Sequence, residues 1–393
     1  MTTTDVYWDP YDREIYVDPY DTYRRLRDES PLYYNEEHGF YAISRYADTE
    51  RMLQDRDTFL SGKGTILPAM KSDAPVAPGL FIFEDPPFHT FHRARLSRVF
   101  TVRAVNQLEA EVRDFCRRSV EALAGRKQFD MMDDLAREIP MRVMGMLLGI
   151  PDAEQPALRD HFIESMHRPA GMPADQTFVS GAFGEYLDYR EKHETDDLMS
   201  RLLHTQFEDE TGATRGLSRE ELVTYINLIA AAGNDTTGLA IGWVVKLLGD
   251  HPDQRAELAS DPSLIPAAIE EVLRCENPAY SFGRYVAADA EFHGQTVPAG
   301  SFLLCVAGSP NRDERQFGPT AEVFDIHRKI ERHITFGYGS HFCLGASLAR
   351  LEARLAVEEI MRAMPVWQVD EDRAELVPGG ATRGWAHLPV ELG

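Results

Sequence analysis

The spacing of apolar and polar positions divides the chain into a short opening part, a long irregular stretch and a mostly helical remainder. Near the start, Phe40-Tyr41-Ala42-Ile43-Ser44 reads as a strand and 46–55 as a short helix. Residues 61–87 repeat Gly and Pro without a period, which predicts a long loop; loops of that length in compact proteins often serve as lids or binding loops. From Phe88 on, helical spacing dominates and predicts helices over 88–100, 102–124, 139–148, 153–166 and 175–192. Ser218-Arg219-Glu220-Glu221 has the form of a capping box that opens another. Residues 225–248 form the most apolar long segment, and helices are expected over 252–258 and 262–275. Residues 282–306 read as short strands with turns at His293-Gly294 and Pro298-Ala299-Gly300. Over 343–364, Leu344, Leu348, Leu351 and Leu355 share one helix face. The tail, 367–393, turns at Pro378-Gly379-Gly380 and reads as a hairpin. This is a mainly α chain with small β-sheets. No repeat, low-complexity tract or Gly/Ser linker interrupts it, so a single large domain over 1–393 is expected, β-rich over about 1–60 and helical over about 85–393.

Composition narrows the function classes. With 41 Lys+Arg against 64 Asp+Glu the net charge is −23, which argues against nucleic acid as a partner. A hydrophobic content of 43% supports a large core and excludes global disorder. The cysteines, Cys116, Cys275, Cys305 and Cys343, lack C-x-x-C spacing, so neither a disulfide scaffold nor a zinc ribbon is expected. Residues 1–20 are polar and acidic, unlike a signal peptide or membrane anchor. No uninterrupted apolar run reaches the roughly 18 residues of a membrane span. The expected location is cytoplasmic.

Two segments break their own local rules. The apolar stretch 225–248 is about 36 Å long as a helix at about 1.5 Å per residue, and its middle reads Gly233-Asn234-Asp235-Thr236-Thr237-Gly238. An Asp and two Thr in a buried helix are costly without partners, and Thr can bond back to a carbonyl one turn earlier and bend the helix. Either two helices meet at a polar turn here, or one distorted helix holds water, a proton donor and a substrate face. The second segment is Phe336-Gly337-Tyr338-Gly339-Ser340-His341-Phe342-Cys343-Leu344-Gly345. Its glycines let backbone approach a bulky partner. A cysteine opening a helix meets free N–H groups that stabilise a thiolate, as a single-cysteine metal ligand requires.

That second segment resembles the haem-binding loop of the cytochrome P-450 family, F-x-x-G-x-H-x-C-x-G, at every fixed position. In the family's order, Ala232-Gly233-Asn234-Asp235-Thr236-Thr237 resembles its A-G-x-D-T-T oxygen-activation motif, Glu271-Val272-Leu273-Arg274 its E-x-x-R motif, and Asp85-Pro86-Pro87-Phe88-His89-Thr90-Phe91-His92-Arg93 its D-P-P-x-H-x-x-x-R segment. The resemblance spans essentially the whole chain and points to the soluble bacterial branch.

The resemblance implies the following roles. Cys343 is the proximal thiolate of haem iron, in a haem b (iron protoporphyrin IX) site. Phe336 packs beside the thiolate, and Gly337, Gly345 and the backbone amides after the cysteine tune its charge. His89, Arg93, Arg284 and His341 hold the haem propionates. Glu271, Arg274 and Arg328 form a structural network under the haem. Thr236 donates a hydrogen bond where dioxygen binds, Asp235 relays protons through water, and Ala232 faces the haem. The substrate surface comprises Leu228 and Ala231, Ala279, Tyr280 and Phe282, Ala381 and Thr382, with Phe81 and Phe83 at the end of the lid loop. Small residues inside and aromatics outside suit a compact apolar substrate.

The resemblance further implies an O₂-dependent monooxygenase of small apolar organic compounds. The chain has no flavin or iron–sulfur motif and no reductase domain. A separate ferredoxin is therefore the expected electron donor, with NAD(P)H acting only indirectly through a redox partner chain, and a basic face formed by Arg95, Arg98, Lys329, Arg332, Arg350 and Arg354 would steer it. A monomer is the default. The reading from another class, a haem protein that binds or senses a ligand without monooxygenation, has no need of Asp235 and Thr236.

Overall fold

The structure, a computed structural model, describes residues 6–72, 75–97, 99–151, 182–195, 197–208 and 212–393. The helix expected over 153–166 lies outside the described residues. Of the one expected over 175–192, the described part forms the helix Ala182–Arg190.

The apolar segment is the axis of the fold. It is one helix, Arg219–Asp250, opened by the expected capping box: the Ser218 hydroxyl accepts from the Glu221 amide at 3.2 Å and the Glu221 carboxylate accepts from the Ser218 amide at 2.7 Å. The polar middle does not divide it, because its acid and one of its hydroxyls have partners; the Asn234 side-chain oxygen is buried with none among the described residues. The Thr236 hydroxyl donates back to the Ala232 carbonyl at 2.9 Å, and Asp235 accepts from the Thr382 hydroxyl at 3.3 Å. Gly233 and Gly238 let neighbours in close: a Cβ on Gly233 would strike the Met144 sulfur, and one on Gly238 would sit 3.1 Å from the Ala136 carbonyl oxygen. Around this helix pack Glu138–Leu148, Ile265–Cys275 and Ala346–Ala363, the last also against Glu109–Ala122. Arg219–Asp250 is also the one described helix long and apolar enough to cross a membrane, and 78% of its apolar window is buried inside the protein.

Other helices follow expectation with shifted ends: Phe88–Ser97, then Val102–Asn106 and Glu109–Ala122 in place of one helix over 102–124, and Pro252–Ser260. The opening 60 residues carry more helix than the β-rich reading allowed, namely Arg13–Val17, Tyr20–Glu29 and Tyr46–Gln54. Charged residues mask the helical spacing of Tyr23, Leu26 and Arg27. Arg27 is itself buried, against Ser309 and Glu322.

The main sheet has five strands in the order Leu32–Asn35, Phe40–Ile43, Phe302–Val306, Ser281–Val286 and Phe59–Leu60, with only the second and third parallel. The expected turn at His293-Gly294 has both residues at positive φ, 51° and 75°. The tail pairs as expected: Glu375–Leu376 with Trp385–His387, and Pro389–Leu392 between Trp367–Val369 and Gln128–Asp130. The long loop over 61–87 contains a helical turn, Leu67–Met70, and a 3₁₀ turn, Phe81–Phe83.

Candidate active site

Between Phe336 and Gly345 the chain makes a tight loop. Gly337 and Gly339 have φ of 70° and 69°, a conformation that disfavours side chains. Gly339 also runs beside the Leu53 carbonyl oxygen, which would lie 2.7 Å from a Cβ there. The Cys343 amide closes the loop by donating to the Phe336 carbonyl at 2.8 Å. The helix begins at Ala346 with Gly345 as its N-cap, so Cys343 precedes the helix instead of opening it.

Cys343 differs from the other cysteines. Cys116, Cys275 and Cys305 are buried, and burial pushes each thiol up to about 12, as expected of inert core thiols. Cys343 is exposed, yet desolvation still raises its pKa, against the pull of the Gly345 and Ala346 amides and the Arg93 and Arg350 charges. A thiol that is both reachable and crowded by protein lines a cleft, not the outer surface. Arg350 lies over the Phe336 ring, 4.3 Å from its centroid.

The central helix has a matching oddity. Ala232 is exposed in the middle of an otherwise buried helix, and Thr236, one turn on, is half-buried on the same face. Leu228, one turn before, shares that face and is buried; Ala231 is buried on the Asp235 side. An exposed alanine at such a place faces an internal space.

Four bases from three segments converge nearby. The His89 and His341 rings are 4.0 Å apart, and His341 Nε2 lies 3.2 Å from the Ser61 hydroxyl. His89 is buried and its Nε2 has no partner. Arg93, one turn beyond His89, reaches the Phe342 carbonyl. Arg284 is buried and donates to the Gly283 carbonyl at 2.8 Å. Among the described residues, no carboxylate lies within ion-pair distance of any of the four. Burial, then the charge of Arg93, pulls His89 down to about 4; burial, then Arg284, His89 and Arg93, pulls His341 down to about 2; burial pulls Arg284 down to about 10. Two arginines beside two histidines, which burial and the neighbouring arginines keep neutral, form a donor cluster suited to an anion.

The comparisons with known proteins agree. The cytochrome P450 family profile matches residues 159–375. The vitamin D(3) 25-hydroxylase of Pseudonocardia autotrophica is 34% identical, with 98% of this chain and 96% of the relative covered. The monooxygenase PikC of Streptomyces venezuelae is 33% identical over 96% and 92%. Cytochrome P450 CYP109Q5 from Chondromyces apiculatus superposes with a TM-score of 0.86 at 32% identity, covering 98% of each chain. This chain belongs to the cytochrome P450 family. It is thereby an oxidoreductase of the monooxygenase class, and its fold is the mainly α, single-domain P450 fold with small sheets.

The family implies a haem cofactor, and the residues present fit one. The unpartnered His89 nitrogen and the four uncompensated bases suit two partly buried propionates. The exposed Cys343 suits a metal ligand, and the exposed Ala232 leaves room for a flat group.

The E-x-x-R pair lies where the P450 reading expected a network. Glu271 and Arg274 are fully buried and joined by two hydrogen bonds, at 2.7 and 2.8 Å. Arg274 also donates to the carbonyls of Asn311 and Ala321. Arg328 joins through Glu271 at 3.1 Å and holds the carbonyls of Phe317, Thr320 and Val323.

The residues proposed to line the substrate space separate in the structure. Ala279 and Ala381 are half-buried, and Thr382 bridges to Ala279. Tyr280 does not join them: its ring is buried against Tyr16, at 4.9 Å, and Trp8, at 6.5 Å. Phe282 shares a strand face with Arg284 and packs on the second apolar cluster around Ile43, Phe59 and Leu303. Thr382 is buried, and its hydroxyl is spent on Asp235. Phe81 is buried between His89 and Tyr225. Phe83 lines a separate cleft of about 440 Å³ with Phe88, Phe91 and Phe207. Strand alternation and core competition, which decide these orientations, are not visible in the one-dimensional pattern.

The proposed basic face is largely neutralised. Arg332 pairs with Glu50, Arg350 with Glu270 and Arg354 with Glu109 and Glu358. Arg95 lies over the Phe207 ring instead, and Arg98 is outside the described residues. Lys329 is exposed, with no ion-pair partner among the described residues. Apart from Glu358, four residues beyond Arg354 on the same helix, the neutralising carboxylates come from distant segments, and sequence proximity gives no sign of them.

One consequence is a pH effect. In the haem-free P450, His89 and His341 stay neutral down to about 4 and about 2, whereas in the unfolded chain they take protons near about 6.5. Their contribution to stability is therefore present above about pH 6.5 and is lost progressively as pH falls toward 4. The urea midpoint should drop between pH 7 and pH 5, and the drop should be smaller in His341→Gln. An equal drop in both would exclude His341 as a source.

Proposed function

We propose that the protein is a haem-thiolate monooxygenase that hydroxylates or epoxidises an apolar small organic substrate, taking electrons from a separate ferredoxin supplied indirectly by NAD(P)H. The observation that carries the proposal is the convergence of His89, His341, Arg93 and Arg284 beside an exposed, desolvated Cys343. Bound there, haem b would activate dioxygen, so that one oxygen atom enters the substrate and the other leaves as water. Cys343 would bind the iron, the four bases would hold the propionates, and Phe336 with its stacked Arg350 would keep water from the sulfur.

Asp235 and Thr236 would move protons. Among the described residues Thr236 has only its own helix carbonyl as partner, a bond that a ligand or water can replace. Asp235 is buried beside it and linked to the tail through Thr382. Leu228, Ala231, Ala279 and Ala381 would present an apolar wall, and the named substrate of the Pseudonocardia relative, vitamin D(3), supports an apolar substrate. A monomer working in the cytoplasm completes the reading.

The deciding experiment is the absorption difference of the reduced protein with and without carbon monoxide. A strongly red-shifted Soret band supports thiolate ligation; a band at the position of a His-ligated haem would overturn it. Thr236→Ala should keep that band and keep consuming reducing equivalents, with peroxide replacing product. General acid–base contributions of about 10²–10⁴-fold set the scale of the loss. Unchanged coupling in this variant would remove Thr236 from the mechanism.

A further inference from the structure

We propose that Thr382 is the positioning residue for Asp235, so that the C-terminal loop sets proton delivery; this rests on the monooxygenase reading above. The Thr382 hydroxyl, placed by the resemblance at the substrate surface, is buried and donates to Asp235 Oδ2 at 3.3 Å. Its backbone is anchored on every side by groups other than that hydroxyl. The Tyr16 hydroxyl donates to the Thr382 carbonyl at 3.0 Å. Thr382 forms a β-bridge with Ala279, flanked by Tyr280 N–H to the Ala381 carbonyl at 2.8 Å and Arg383 N–H to the Pro278 carbonyl at 2.7 Å.

The next residue is the strongest anchor. Arg383 is buried, pairs with Glu276 at 2.7 Å and donates to the carbonyls of Tyr16 and Val17. The Trp243 indole N–H, two turns along the central helix from Asp235, donates to the Arg383 carbonyl at 3.2 Å. So rigid a mount gives the Thr382 hydroxyl a fixed position, and a buried carboxylate takes the orientation its donors impose. Asp235 and Thr236 are adjacent, yet their side chains have different partners: Thr236 its own helix, Asp235 the tail loop. The tail thus contributes a hold on the acid, while the alcohol bonds to its own helix. In turnover the Asp235 carboxylate would take a proton from solvent water and pass it into the site once the haem and the electron donor have reduced the bound oxygen, and Thr382 would keep the carboxylate in place through both transfers.

The contact and the role are tested separately. In urea unfolding, Thr382→Val should lower the midpoint in the wild-type background and leave it nearly unchanged in an Asp235→Ala background, where the acceptor is gone. For the role, the dithionite-reduced holoprotein is mixed with dioxygen, and its return to the oxidised spectrum is timed in H₂O and D₂O. The expected result is a several-fold slower return in Thr382→Val with a larger solvent isotope effect, and near wild-type behaviour in Thr382→Ser. Should Thr382→Val fail to bind haem, Thr382→Ala is read in its place. Wild-type rates and isotope effects in the hydroxyl-free variant, with Asp235→Asn slowed, overturn the role of Thr382 alone. A wild-type rate in Asp235→Asn overturns the relay reading beneath it. A slowed return that Thr382→Ser fails to rescue assigns the effect to loop packing and also overturns the proposal.

Discussion

Cys343→Ala abolishes the red-shifted Soret band of the reduced carbon monoxide complex, and product formation falls to the level of free haem. The loop should survive the change, because what closes it is the Cys343 amide on the Phe336 carbonyl, not the thiol. Gly337 and Gly339 keep their conformations, and the four bases keep their places. Haem content should therefore fall less than activity does. No other cysteine can take over: Cys116, Cys275 and Cys305 are buried, with thiols pushed up to about 12. The measurements are the difference spectrum and haem per chain. A red-shifted band persisting in the variant would mean that another thiolate binds iron, and the assignment of Cys343 would be withdrawn.

The second large effect is on stability. Glu271→Ala leaves Arg274, fully buried, without its carboxylate, and removes the acceptor of Arg328 and of the Asp325 amide. Removing one partner of a buried pair costs about 3–5 kcal/mol, because the remaining charge stays buried and uncompensated. Against a total of about 5–15 kcal/mol, that leaves little reserve. Arg274 and Arg328 together hold carbonyls of Asn311, Phe317, Thr320, Ala321 and Val323, so the segment leading to the cysteine loop should loosen and haem retention should fall with the urea midpoint. Arg113→Ala, which removes partly exposed pairs with Glu109 and Glu358, is the control; its cost should stay within about 1 kcal/mol. A midpoint shift for Glu271→Ala no larger than the control's would show that the network carries no special weight.

How far the site was legible differs by residue. Cys343, Glu271 and Arg274 lie in short local motifs; the structure leaves Cys343 exposed in a tight loop, buries Glu271 with Arg274 as a pair, and starts the following helix at Ala346. Arg328 was named by position alone and joins the network through Glu271. Ala232 and Thr236 share a helix face because residues one turn apart must. Tyr280, Phe282 and Thr382 were read as one substrate wall, yet they point to three different neighbourhoods. The pairing of Arg332 and Arg350, and of Arg354 with Glu109, is equally invisible, since Glu50, Glu270 and Glu109 reach them from far along the chain.

By itself, the sequence determined the family and most helices, and it singled out the loop and the acid–alcohol pair that are proposed to serve haem and protons. Each depends on residues within a turn or two of one another, where backbone geometry leaves little freedom. Only the tertiary structure decided which cations stay uncompensated, why the polar middle of the central helix does not break it, and that the tail loop grips Asp235. The grip on Asp235 depends on a pairing between segments more than a hundred residues apart, Thr382 with Asp235. A pairing of that kind is chosen by the competition of many burial and hydrogen-bond terms at once, which no local pattern records.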